Sequence, residues 1–284
     1  MTGVAPPADA AERWWPRLVA LDVDGTLPAW SEVEQPIPEP PDSRLRAMFR
    51  RAVAAGSHIV LCSGRSPHGM TRVLDRLGLA GPGADRCWLV AGNGAMVCRY
   101  PPLEIVRATR FDPAPAVRTV LASWPTARVA IEDGFTGYLA TAAFPAGELP
   151  GETRIIGLAE LLARPVSRVI IRDPDSTPAD FRRLAAGLGL EEIDYTVGYT
   201  AWLDLVPRGV SKASGLQHAC ERLGIAARDV LAVGNAGNDL DLIRWAGRGV
   251  AVADASPELL AAADDTTAAA DDDGVAVELA RWFS

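Results

Sequence analysis

At 284 residues the chain is long enough for a full hydrophobic core and for two domains of ordinary size. Its 49% apolar and 23% charged residues are a globular composition. A net charge of -8 argues against a general binder of nucleic acid or of anionic membranes, since both require clustered Lys and Arg. The four cysteines, Cys62, Cys87, Cys98 and Cys220, have no zinc-ligand spacing, and no run approaches the ~18 apolar residues of a membrane span. These features lead us to expect a cytoplasmic protein with reduced thiols and no nucleic-acid or membrane partner.

The Ala- and Pro-rich residues 2–12 read as a loose leader. Leu18 to Leu21 then form a near-continuous apolar run, the pattern of a strand buried on both faces of a parallel sheet. Such runs recur at His58–Cys62, Trp88–Val90, Val230–Val233 and Val250–Ala253, each ending in a polar or glycine-bearing turn. Helices separate them. Arg44–Ala55 places Leu45, Met48, Phe49, Ala52 and Val53 on one face with Gly56 as a stop, and Ser66-Pro67 opens a second helix that turns Met70, Val73, Leu74 and Leu77 inward. Ser211 caps a third, with Leu216, Ala219, Cys220 and Leu223 inside and Gly224 beyond. Strands alternating with helices of this length predict an α/β fold built on a doubly wound parallel sheet.

From about 98 to 207 the texture changes. Alternating strands at Arg128–Glu132, Ser167–Arg172 and Ala201–Val206, with helical stretches at Ala114–Ser123 and Asp180–Leu188, read as an α+β unit inserted into the α/β domain. The expected division is therefore a core of residues 1–97 and 208–284 and an insert of residues 98–207. Within the insert, Glu132-Asp133-Gly134 reads as a hairpin turn in preference to a group that meets a polar substrate. After the insert, Leu259, Leu260, Val275, Val277, Leu279 and Trp282 predict helices packed on the core around a polar loop, and Trp14 and Trp15 close the sheet edge.

The first apolar run ends in Asp22-Val23-Asp24-Gly25-Thr26, which sets two carboxylates at the carboxyl end of a strand, where ligands bind in open α/β sheets. A nucleophile at Asp22 and a neighbouring carboxylate at Asp24 follow from that placement. Together with Ser63-Gly64-Arg65, with Lys212 in Gly209-Val210-Ser211-Lys212, and with Gly234-Asn235-Ala236-Gly237-Asn238-Asp239, the segment resembles the four ordered motifs of the haloacid dehalogenase-like superfamily. Asn93-Gly94-Ala95 and Asp273-Gly274-Val275-Ala276 resemble recurring segments of its Cof-type phosphatases, subfamily IIB, which carry a large inserted cap.

The resemblance implies a phosphatase acting on a small phosphorylated metabolite such as a sugar phosphate. A phosphate monoester is a dianion that repels an attacking carboxylate, so the site needs concentrated positive charge, and oxygen-only ligands favour Mg²⁺ as its source. Asp22 is then the nucleophile and a metal ligand, and Asp24 is the acid and base, with its main-chain carbonyl on the metal. Ser63 and the N–H groups near Gly64 donate to the phosphoryl oxygens, and Lys212 neutralises Asp22 and the phosphate. Arg65 either reaches the substrate or forms an ion pair, Asn238 contacts phosphate, and Asp239 is a further metal ligand. Where the family has an aspartate, residue 235 is Asn, which removes one negative charge and lowers the expected metal affinity. A mutase-type phosphoryl transfer and a catalytically impaired phosphate-ligand binder are the alternatives. His58, His68 and His218 share no ligand spacing.

Overall fold

The protein is described here from a computed structural model that covers residues 14–28, 43–80, 86–133, 137–149, 152–173, 175–177, 179–180, 183, 193–197 and 202–283. The leader at 2–12 and most of the helical stretch expected at 180–188 lie outside these residues. The chain begins with β1 (Leu18–Leu21), α1 (Arg44–Ala54), β2 (His58–Cys62), α2 (Pro67–Leu77), β3 (Cys87–Ala91), β4 (Met96–Tyr100) and β5 (Glu104–Ala108). The middle forms α3 (Ala114–Ser123), β6 (Arg128–Asp133), β7 (Gly137–Ala140), β8 (Glu152–Ile155), α4 (Leu158–Leu161), β9 (Val169–Arg172), β10 (Ile193–Val197) and β11 (Trp202–Pro207). The last part supplies α5 (Lys212–Leu223), β12 (Val230–Gly234), α6 (Leu240–Trp245), β13 (Arg248–Ala251), α7 (Pro257–Ala262), β14 (Asp265–Thr266) and α8 (Gly274–Leu279).

The first and last groups share one sheet in the order β14-β13-β12-β1-β2-β3-β4-β5, parallel from β14 to β3 and antiparallel at the β4–β5 edge. β1 lies between β2 and β12, with Leu18 in register with His58 and Val230, and all four of its residues are fully buried. Helices cover both faces, which is why this strand is apolar without alternation. Ser43, Ser66 and Ser211 cap α1, α2 and α5 by accepting the N–H of Arg46, Gly69 and Ser214. The inward residues of α1 are buried except Val53, which is 54% exposed; the helix turns it past the edge of the buried stripe.

The middle strands form a second sheet in the order β10-β11-β9-β6-β7-β8, antiparallel except between β7 and β8. One face buries Val129, Ile131, Leu139, Val169, Ile171, Leu203 and Leu205 against α3. Side-chain alternation puts Ala130, Glu132, Tyr138, Arg168, Ile170, Trp202 and Asp204 on the opposite face. We infer that the core runs on through β5 before the chain crosses into the insert. β4 and β5 continue the large sheet past the 97/98 boundary, a hairpin whose polar, half-buried outer strand carries little sequence signal.

Candidate active site

Four loops meet at the carboxyl ends of β1, β2, β3 and β12. Asp22 follows β1 directly, its N–H donating to Val233 O at 3.0 Å, and its side chain is 5% exposed. Thr26 Oγ1 donates to Asp22 Oδ2 at 3.0 Å, and Lys212 Nζ donates to Asp22 Oδ1 at 2.6 Å. The carboxylate is thus held from both sides. Burial, followed by the charge of Asp239, pushes the Asp22 carboxyl up to about 7 against the opposing pull of Lys212. The Lys212 ammonium is itself raised, because Asp22 and Asp239 outweigh the cost of its burial.

Lys212 opens α5 and is fully buried between the two aspartates, 2.7 Å from Asp239 Oδ1. Its position depends on a close backbone approach. A Cβ on Gly94, whose φ is +104°, would stand 1.9 Å from Ser211 O, so only glycine lets the turn between β3 and β4 press against the start of α5.

Asp239 accepts from the N–H of Asn235 at 3.0 Å and of Ala236 at 3.1 Å through Oδ2, while Oδ1 takes Lys212. Its oxygens therefore organise the loop after β12 and anchor the lysine. Asn235 is buried against the turn after Asp22, where a Cβ on Gly25 would come within 2.1 Å of Asn235 Nδ2. Among the described residues no group of three or more His, Cys, Asp or Glu side chains is set to hold a metal. The donors that do meet here, a buried carboxylate, an amide and the main chain of a tight turn, fit an oxygen-ligated cation with a low charge count.

Asp24 is engaged by the loop after β2. Arg65 grips it with Nε at 2.9 and 3.1 Å and Nη2 at 2.6 Å, and Ser63 Oγ donates to it at 3.4 Å. Partial burial works to raise the Asp24 carboxyl, yet Arg65 holds it below the usual carboxylate range. Of the two roles open to Arg65, the ion pair is the one seen in this structure. Ser63 Oγ also accepts the Arg65 N–H at 3.2 Å, and a Cβ on Gly64 would lie 3.1 Å from Asn93 Oδ1.

Asn238 donates to Asn93 Oδ1 at 3.1 Å, and Asn93 donates onward to Asp204 Oδ2 at 3.3 Å, so three residues join the loop after β12 to the second sheet. Asn93 adopts a left-handed φ of +54°, a conformation that asparagine tolerates well. Sequence reading named the segments of Asn93 and Thr26 without giving either residue a role, and did not single out Asp204. An asparagine between two glycines after a strand was the available signal for Asn93. His58, His68 and His218 occupy none of these positions.

A family model described as haloacid dehalogenase-like hydrolase matches residues 19–122 and 155–279. The 5-amino-6-(5-phospho-D-ribitylamino)uracil phosphatase YitU of Bacillus subtilis is 27% identical, over 95% of this chain and 98% of that protein. An HMP-PP phosphatase of Cronobacter sakazakii is 26% identical over 86% and 87%. Among solved structures, a haloacid dehalogenase-like hydrolase from Bacteroides thetaiotaomicron superposes with a TM-score of 0.73 at 24% identity, covering 93% of this chain and 98% of that one. The subclass IIB sugar phosphatase BT4131 gives 0.73 at 19% identity, covering 93% and 98%. The strand-end motifs and the match across the large sheet and part of the second agree: this chain belongs to the haloacid dehalogenase-like hydrolase family.

Proposed function

We propose that the protein is a Mg²⁺-dependent phosphatase that hydrolyses a small phosphorylated metabolite, such as a sugar phosphate, through an aspartyl-phosphate on Asp22. The observation that carries this reading is the buried Asp22 carboxylate held between Thr26 and Lys212 at a strand end. Two relatives named as phosphatases, aligned over most of their length, support it.

In this mechanism one Asp22 oxygen attacks phosphorus while Lys212 and the donors at Ser63 and Gly64 hold the phosphoryl oxygens. Asp22, the main chain of Asp24 and Asn235 would hold the cation, which supplies positive charge against the phosphate dianion. Asp24, which takes up a proton from solvent on release from Arg65, passes it to the departing alcohol and then draws a proton from the water that hydrolyses the intermediate. For that, its ion pair with Arg65 opens, and the phosphate offers the guanidinium a replacement anion. The second sheet acts as a cap that covers the loops and limits water. The location we propose is the cytoplasm; among the described residues no helix is long and apolar enough to cross a membrane.

The test is phosphate release from a panel of metabolite monoesters by the protein and by Asp22→Asn, with Mg²⁺ and with a chelator. Release that needs both Asp22 and the cation is expected. Release that survives either removal overturns the mechanism, and phosphate passed to a second hydroxyl instead of water would identify a mutase.

A further inference from the structure

The face of the second sheet turned away from α3 is oddly polar for a buried surface. It lies over the catalytic loops: Asp204 takes the Asn93 amide at 3.3 Å, the Arg168 side chain passes within 3.8 Å of where a Cβ on Gly92 would stand, and Tyr138 interacts with Ser66. On this face Asp204 is well satisfied, accepting Arg168 Nε at 2.8 Å, Arg168 Nη2 at 2.7 Å and Trp202 Nε1 at 2.9 Å. Glu132 is not. Its side chain is 8% exposed, yet among the described residues neither carboxylate oxygen has a hydrogen-bond partner, and the nearest cationic atom, Arg168 Nη1, stands 3.6 Å away. A buried carboxylate left in this condition costs stability, and such groups in native proteins call for a reason.

Resting on the phosphatase reading, we propose that Glu132 is the residue of the cap that selects the leaving group of the substrate, accepting hydrogen bonds from a hydroxyl or ammonium group and rejecting a second acid. The charge balance of the face supports this. Arg168 is matched by Asp204, so this face carries one acid more than its bases and becomes net negative when Glu132 ionises. An alcohol or amine brought there satisfies the open oxygens, whereas a carboxylate meets repulsion with no free guanidinium to offset it. Burial pushes the Glu132 carboxyl up to about 7, against the pull of Arg168, as expected of a group waiting for a donor.

Matched substrates isolate the end group. Glycerol 3-phosphate against 3-phosphoglycerate, and sorbitol 6-phosphate against 6-phosphogluconate, differ only in an alcohol replaced by an acid at the far carbon. The full chain should favour the alcohol of at least one pair by about tenfold or more in kcat/KM, mainly through KM, and Glu132→Gln should bring that ratio to within about threefold. A ratio that Glu132→Gln and Glu132→Ala leave unchanged, or a wild-type preference for the acid in both pairs, overturns the proposal. Dissociation constants measured by calorimetry for the same pairs separate the two readings. Absence of turnover defeats the phosphatase assignment, while the alcohol-over-acid binding ratio and its loss in Glu132→Gln still decide the role of Glu132.

Discussion

Lys212 Nζ and Asp22 Oδ1 are separated by 190 positions in the chain and by 2.6 Å in the site. Both are buried, and a second carboxylate, Asp239, holds the same ammonium. Replacing the lysine leaves two buried carboxylates facing each other. Lys212→Ala should therefore lower stability by about 3–5 kcal/mol, as breaking a buried ion pair does. Phosphate release should fall by about 10²–10³-fold through loss of the charge at the phosphoryl group. Chemical denaturation and steady-state kinetics check the two effects separately, and unchanged stability would show that the carboxylates find other partners.

Asn235 stands against the turn that carries Asp22, so a carboxylate there would add a charge to the cation site. Asn235→Asp should lower the Mg²⁺ concentration for half-maximal activity by about tenfold. In chelator the same variant should melt below the wild type, because a buried carboxylate joins Asp22 and Asp239. An activation curve that does not move would remove Asn235 from the set of cation ligands.

The pH dependence of stability should carry the mark of Glu132. Its carboxyl is raised from 4.5 to about 7, so between these values the folded protein keeps a proton that the unfolded chain has released. Stability from this group is present below pH 4.5 and is lost as pH rises through 7. The groups facing it are Arg168, Asp204, Tyr138 and Cys98. Glu132→Gln should match the wild type near pH 5 and exceed it at pH 8 by up to about 3 kcal/mol. Denaturant titrations at the two pH values give the difference, and a gain of equal size at both would contradict it.

Asn93 bridges Asn238 and Asp204 and holds a positive φ, so its two contributions can be separated by substitution. Asn93→Gly keeps the backbone and removes the bridge, and should raise KM by about threefold to tenfold with little loss of stability. Asn93→Ala removes the bridge and strains the turn, and should cost about 1 kcal/mol more in stability than the glycine variant. Equal KM values for wild type and Asn93→Gly would mean that the bridge does not position the substrate.

Gly94 tests how Lys212 is placed. A methyl group there meets Ser211 O at 1.9 Å, and on the other side of the contact a Cβ on Gly215 would meet Val90 Cγ1 at 2.6 Å. Gly94→Ala should displace the start of α5, with a stability loss of about 2–4 kcal/mol and a fall in kcat, since Lys212 is the first residue of that helix. Melting temperature and turnover read the two consequences.

Much of this molecule was legible from local pattern. Leu18–Leu21 reads as a two-face-buried strand because helices cover both sides of a parallel sheet, and Ser66-Pro67 and Ser211 read as helix starts because capping is a property of a few neighbouring residues. The β4–β5 edge was not legible in the same way, since its membership of the large sheet is settled by hydrogen bonds to a strand and not by its own composition. The Glu132-Asp133-Gly134 segment shows the same limit. In place of the expected turn, Glu132 and Asp133 belong to β6 and pair with Tyr138 and Gly137, and the burial of Glu132 among Arg168 and Asp204 comes from pairing β6 with β9 and β9 with β11.

By itself, then, the sequence determined the periodicities, the caps and the order of the strand-end carboxylate, serine, lysine and Gly-Asn-Ala-Gly-Asn-Asp segments, because each depends on residues within a few positions of one another. Only the tertiary structure decided that Lys212 sits between Asp22 and Asp239, that Arg65 holds Asp24, that Asp239 divides its oxygens between Lys212 and its own loop, and that Glu132 is left without a donor. Those outcomes are set by distances between groups far apart in the chain. Burial and charge at such distances arise when the sheets close over the site.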